Sequence, residues 1–128
     1  MIQELKIKNF KSFRDETELS FEPSGDDRYN STVVMPDGVR LLRFAVVLGA
    51  NASGKSNLLD AIEFLRRFWN NIPSTNDDGT GVMPFLLRKE APSFDTEFDI
   101  KFYIDGIRYR YLLVVNPAKV CSEALYVY

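Results

Sequence analysis

Histidine is missing from this 128-residue chain, and cysteine occurs once. Without histidine, Ser-His and Cys-His nucleophilic catalysis are excluded within one chain. With Cys121 alone, so are an internal disulfide and a zinc site of the His/Cys type. Cys121 itself is expected to be a strand or core residue rather than a reactive thiol. No apolar run approaches the ~20 residues that a membrane-spanning helix needs. The N-terminus carries charges where a signal peptide would be apolar, so the expectation is a cytoplasmic chain with no membrane partner. Net charge is also small: 16 basic against 18 acidic residues leave −2, and nothing in that total marks a nucleic-acid footprint. An apolar fraction of 45% describes an ordinary globular chain, one domain by length and large enough for a hydrophobic core.

What the chain does have is Gly49-Ala50-Asn51-Ala52-Ser53-Gly54-Lys55-Ser56, the spacing of a phosphate-binding P-loop. A polyphosphate is densely anionic, and a loop binds it best by turning backbone N–H groups inward while letting the oxygens approach the main chain. Gly49 and Gly54 permit that, because glycine has no Cβ and can adopt positive φ. Lys55 supplies a point charge toward the β- and γ-phosphates of ATP, and the Ser56 hydroxyl is a candidate Mg²⁺ ligand. A helix starting here adds unpaired N–H groups and the positive end of its dipole. The flanks fit. Phe44 to Leu48 is a short apolar run without alternation, expected as a buried parallel strand. After the loop, Leu58, Ala61, Ile62, Leu65 and Phe68 recur at helical spacing through Trp69, and the helix should end between Asn70 and Pro73.

The remaining stretches read as strands and turns. Ile2, Leu5, Ile7 and Phe10 alternate with charged residues, and after a turn near Arg14-Asp15-Glu16 a returning run holds Leu19 and Phe21. Lys6, Lys8, Lys11 and Arg14 are expected on a solvated face. Pro23 to Ser31 has the composition of an exposed loop, and Pro36-Asp37-Gly38 turns a second hairpin between Val33 and Leu42. Asn70 to Thr80 is polar, followed by the apolar island Pro84-Phe85-Leu86-Leu87. The strongest hairpin signal joins Phe98–Ile104 to Ile107–Val115 through Asp105-Gly106. Its aromatics, Phe102, Tyr103, Tyr109 and Tyr111, are expected to pack across the strands rather than stack on bases. Arg108 and Arg110 are expected on the opposite, exposed face. Asn116-Pro117 breaks the return strand, and a further, partial strand runs from Val120.

Two stretches together carry a family likeness. Ile7-Lys8-Asn9-Phe10-Lys11-Ser12-Phe13, followed by Gly49 through Ser56 and Asn57-Leu58-Leu59-Asp60-Ala61-Ile62, resembles the N-terminal half of SMC/RecF-like ABC-type ATPases. Within these it looks most like prokaryotic AAA-labelled ATP-binding proteins of the OLD and abortive-infection kind, as does the use of Ala52 where Gly is more usual. The resemblance implies ATP and Mg²⁺ as cofactors. It implies that Asn51, Ala52, Ser53, Gly54, Lys55 and Ser56 wrap the phosphates and that Asn57 lies on the first helical turn. It further implies that Lys11 and Ser12 approach the nucleotide from the first strand. It implies a homodimer closed through nucleotide, with DNA or an effector nuclease as further partners that this segment does not itself indicate.

The departures from that family matter as much. No hydrophobic run ending in Asp-Glu is present to hold Mg²⁺ through water and activate the attacking water. The one glutamine, Gln3, lies outside any Q-loop position, and no Leu-Ser-Gly-Gly-type signature occurs. Asp60 and Glu63, on the P-loop helix, are expected to be helix-face residues rather than a catalytic base. The expectation is therefore an α/β fold and an incomplete domain, the N-terminal part of one P-loop ATPase domain spanning 1–128. Residues 1–43 form β hairpins and 44–71 form strand, P-loop and helix. A loop over 72–97 and a hairpin with a partial strand over 98–128 complete it, an antiparallel lobe beside the nucleotide-binding core. The expected function is ATP binding and, in the intact protein, hydrolysis driving a dimerisation switch, with Lys55 as the catalytic group. Two alternatives stand beside it: a non-hydrolysing nucleotide-gated interaction module in DNA repair or phage defence, and a small-molecule P-loop kinase.

Overall fold

The computed structural model describes residues 1–25, 32–70, 79–87 and 95–128. The loop expected from Pro23 to Ser31 and the polar stretch from Asn70 to Thr80 therefore fall largely outside the described residues. Among the described residues eight elements follow in order: β1 (Ile2–Lys8), β2 (Thr17–Ser20), β3 (Thr32–Val34), β4 (Arg40–Leu42), α1 (Lys55–Asn70), β5 (Thr96–Ile104), β6 (Ile107–Val115) and β7 (Val120–Val127). Five of them make one sheet in the order β2-β1-β5-β6-β7, and β3 pairs with β4 in a separate two-stranded ribbon. All pairings are antiparallel.

Turn chemistry sets the hairpins. Asp105 (φ 50°) and Gly106 (φ 81°) are both left-handed, the conformation that a two-residue turn needs to match strand twist. Phe102 lies opposite Tyr109 in the resulting register, and their rings stack at 5.6 Å, a cross-strand pair of the stabilising kind. Gly38 (φ 86°) plays the same part in the β3–β4 turn, where Met35 N–H donates to the Val39 carbonyl at 2.8 Å.

Alternation then sorts the sheet into two faces. Leu5 and Ile7 of β1, Phe98 and Ile100 of β5, and Tyr111, Leu113 and Val115 of β6 are buried in one core with Ala61, Phe64 and Leu65 of α1. Four rings build its centre. Phe64 stacks on Phe98 at 5.3 Å, Phe10 meets Phe98 edge-on at 5.5 Å, and Phe68 extends the row at 5.8 Å from Phe64. Trp69, at the far end of α1, contacts Phe102 and Tyr111. The other face carries ion pairs: Lys8 with Glu97 at 2.9 Å, Lys101 with Glu4 at 3.1 Å, and Lys6 with Glu18 at 3.5 Å.

Several expectations need correction. Phe44 to Leu48 is not a buried parallel strand: it has no regular structure, and Phe44, Val46 and Leu48 are 69%, 72% and 86% exposed. A parallel strand is stable only with a neighbour beside it and cover on both faces, and among the described residues none pairs with this run. The antiparallel sheet is not a lobe beside the helix but the platform on which α1 packs. Thr96 and Glu97, expected in the 72–97 loop, already belong to β5. β7 runs for 8 residues, Val120–Val127. Arg108 and Arg110 are not free on a solvated face. Arg110 makes a two-pronged contact with Asp99 at 2.8 and 3.0 Å, and Arg108 lies 3.8 Å from Asp37 with its guanidinium over the Tyr128 ring. Tyr103 leaves the aromatic cluster, because it points to the other face and donates its hydroxyl to Asp37 at 2.7 Å. Cys121 is the strand residue of its two expected placements, in β7, and is exposed. Local desolvation and the nearby Asp95 carboxylate push its thiol above the ordinary range.

Candidate phosphate-binding site

Residues 49–54 form a tight turn, and the turn runs directly into α1. Ser53 N–H reaches back to the Ala50 carbonyl at 3.3 Å, with Ala52 at φ 62° and Gly54 at φ 93°. The Gly54 carbonyl accepts from Leu58 N–H at 3.1 Å, which makes Gly54 the residue that caps the helix. The N–H groups of Lys55, Ser56 and Asn57 thus belong to the first turn, where no preceding helical carbonyl can pair with them. No acidic side chain lies in that first turn, and Arg67 stands in the last. The helix dipole is therefore left uncompensated at the end where an anion would bind and is balanced at the other.

Gly54 is required by its left-handed backbone, and Gly49 leaves room for the Ser53 side chain. A Cβ on Gly49 would come within 2.8 Å of Ser53 Oγ, and one on Gly54 within 3.0 Å of Ser12 Oγ. Within the turn, the Lys55 ammonium donates to the Gly49 carbonyl at 2.8 Å and to the Ala50 carbonyl at 2.6 Å, with Ser53 Oγ at 3.4 Å. The cation therefore sits inside the loop that the backbone encloses. Glycine backbone, a lysine held by the loop and an uncompensated helix start together suit the phosphates of a nucleotide, and the Ser56 hydroxyl one residue on is the oxygen that suits Mg²⁺.

The turn after β1 forms the floor of the site. Asn9 (φ 55°) and Lys11 (φ 47°) both take the left-handed conformation, and Phe10 and Phe13 exchange backbone hydrogen bonds at 2.9 and 2.7 Å. The chain thereby folds back on itself and points Ser12 and Phe13 at Gly54, with Phe13 Cε1 3.5 Å from the position of its absent Cβ. Ser12 Oγ accepts a hydrogen bond from Asn57 Nδ2 at 2.7 Å. So the structure brings Ser12, Gly54 and Asn57 together, with Gly49, Asn51, Ala52 and Ser53 in the adjoining turn and Lys55 and Ser56 on the first turn of α1. Lys11 is placed differently. Its ammonium is held by Asp60 of α1 at 2.6 Å, so of the solvated face expected of Lys6, Lys8, Lys11 and Arg14, Lys11 is drawn in toward α1 while Arg14 is exposed.

Sequence reasoning assigned Asp60 only to the helix face, and the pairing with Lys11 across 49 positions has no local signal that could have revealed it. Glu63 is engaged as well, chelating Arg66 at 2.7 and 2.8 Å, and that contact holds its carboxyl below the ordinary range. The Met83 carbonyl, which accepts from Lys11 N–H at 2.8 Å, anchors the described stretch 79–87 to the same turn.

Residues 44–128 match the family described as "AAA domain, putative AbiEii toxin, Type IV TA system". The chain belongs to this AAA domain family. The match begins at Phe44 and takes in the P-loop, α1 and β5–β7, while β1–β4 and the Asn9–Phe13 turn lie before it. AAA domains are nucleotide-binding domains of the P-loop ATPase type and generally use ATP and Mg²⁺. No curated protein matches the chain.

Proposed function

We propose that the chain binds the phosphates of ATP through Gly49–Ser56 and, in the intact protein, hydrolyses ATP in an SMC/RecF-like, ABC-type cycle. The observation that carries this reading is the Lys55 ammonium enclosed by the Gly49 and Ala50 carbonyls at the start of a helix whose first turn holds no acidic residue. Asn51 to Ser56 would enclose the phosphates with backbone N–H groups, and the Lys55 charge would offset the negative charge that phosphoryl transfer redistributes. Ser56 would hold Mg²⁺, which when bound neutralises phosphate oxygens. Asn57 and Ser12 flank the nucleotide end of α1.

A complete hydrolytic site also needs a group that positions the attacking water. Asp60 and Glu63 are each committed to a cation, and no Asp-Glu strand motif occurs in these 128 residues. That group and the second set of charges are assigned to residues beyond this segment and to a second copy closing over the nucleotide, which gives a dimerisation switch. An exposed apolar run at Phe44 to Leu48 supports the same reading, since it is suited to pairing with strands of a larger sheet. The setting is the cytoplasm, with an effector nuclease or DNA as the partner that the switch controls.

The experiment is ATP turnover by the full-length protein beside its Lys55→Ala variant, together with nucleotide titration of the 128-residue segment. Turnover abolished by the substitution, with weak binding and negligible turnover by the segment, is the expected result. Binding without turnover by the full-length protein would instead mark a non-hydrolysing module, and robust hydrolysis by the segment alone would refute the division of the site.

A further inference from the structure

The Asn9–Arg14 turn is held in place from three directions. Toward the sheet, Asn9 Nδ2 donates to the Asp95 carbonyl at 2.8 Å, and Thr96 Oγ1 donates to the Asn9 carbonyl at 2.7 Å. Toward residues 79–87, Lys11 N–H donates to the Met83 carbonyl. Toward α1, Asn57 donates to Ser12 at 2.7 Å and Lys11 donates to Asp60 at 2.6 Å. Two of its residues, Asn9 and Lys11, are left-handed without being glycine, a conformation that persists only where the surroundings impose it.

We infer that Asp60 is a positioning residue for the P-loop: by holding Lys11 it keeps the Asn9–Arg14 turn seated on α1, and the seated turn backs Gly54 with Ser12 and Phe13. The inference rests on the phosphate-binding reading of Gly49–Ser56. Asp60 lies one helical turn beyond Ser56 and three residues beyond Asn57, so the three share one side of α1. A rigid helix therefore carries the Lys11 anchor and the Ser12 anchor as one unit. The Lys11 and Asp60 side chains are 26% and 45% exposed, and an ion pair so exposed contributes little to global stability. Its effect is local: it decides where Ser12 Oγ stands, only 3.0 Å from the position a Gly54 Cβ would take, and so how tightly the last residue of the loop is confined.

Amide hydrogen exchange on the full-length protein without nucleotide tests this directly. Asp60→Asn should speed exchange about fivefold or more at residues 9–14 and 53–56 while leaving the β5–β6 amides unchanged, as expected of local rather than global opening. Unchanged exchange at the loop, or an equal rise throughout the protein, overturns the inference. Titration with ATP and Mg²⁺ supplies a second arm. Asp60→Asn and Ser12→Ala should each weaken binding about five- to tenfold, and the double variant little more than either, because coupled neighbours are not additive. Asp60→Glu, which keeps the charge, should bind nearly as the parent does. Independent, additive losses or undiminished affinity in Asp60→Asn would refute positioning. Should the parent protein bind no nucleotide, the phosphate-binding reading falls, while the exchange data still decide whether Asp60 positions the loop.

Discussion

Asn57 Nδ2 donates to Ser12 Oγ across 2.7 Å, joining residues 45 positions apart in the chain. One partner lies on the first turn of the P-loop helix and the other in the turn that ends the first strand. Neither stretch is a site alone. Gly54 holds a left-handed φ of 93° that favours glycine, with Ser12 packed close against it, and Ser12 reaches it because Asn9 and Lys11 bend the chain back through left-handed conformations.

Lys55 has its ammonium bound by its own loop and no role in the core. Lys55→Ala should therefore leave thermal unfolding almost unchanged while reducing ATP turnover by the full-length protein about 100-fold or more, the scale seen when one electrostatic stabiliser is removed from a reaction centre. Paired melting curves and steady-state rates check both halves. An unfolded variant, or one that keeps its activity, would contradict the assignment.

Ala52 holds φ at 62°, where an L side chain costs roughly 1–2 kcal/mol that glycine does not incur. Glycine in turn adds about 0.5–1 kcal/mol of unfolded-chain entropy. Ala52→Gly should thus be neutral to stabilising by up to about 1.5 kcal/mol, the difference between those two terms. Urea denaturation measures it, and a clear destabilisation would show that the Ala52 methyl makes a contact of its own.

Tyr103 and Asp37 make stability depend on pH at both extremes. The Tyr103 hydroxyl, with lesser help from a backbone N–H and Arg108, holds the Asp37 carboxyl below its ordinary 3.8. Its contribution is therefore complete above pH 3.8 and lost as pH falls toward the lower folded value. Burial and the Asp37 contact push the Tyr103 phenol up from 10.0 to about 12, so its contribution is complete below pH 10 and lost as pH rises through about 12. Tyr103→Phe should flatten the stability profile in both windows, as read by chemical denaturation across pH. An unaltered acid limb would show that Asp37 is governed by its other neighbours.

Phe64 is buried and touches Phe10, Phe68 and Phe98. Truncation to alanine should cost about 3–5 kcal/mol, the range for deleting a buried aromatic ring. Because the same ring seats α1 on the sheet, ATP affinity should fall with stability rather than independently of it. A loss below about 1 kcal/mol would mean the site collapses around the gap, which a core this aromatic should not allow.

Much of this protein is legible in its sequence. Local chemistry determined the hairpins, because Asp105-Gly106 and Pro36-Asp37-Gly38 favour reversal whatever surrounds them. It determined α1 as well, since the apolar residues from Leu58 to Phe68 recur at helical spacing and Gly54 ends the loop before them. The P-loop spacing is equally a property of the chain, since each residue acts through its own backbone freedom or charge. Tertiary structure decided what depends on distant partners. It set Phe44 to Leu48 apart, exposed, because an apolar run becomes a strand only where another lies alongside. It sent Tyr103 to Asp37 and Arg110 to Asp99, since the position of an opposing charge is not written in a strand's own alternation. Above all it moved Lys11 from a row of surface lysines onto Asp60: two left-handed residues turn the backbone after Lys8, and the direction of a side chain beyond such a turn follows from the fold.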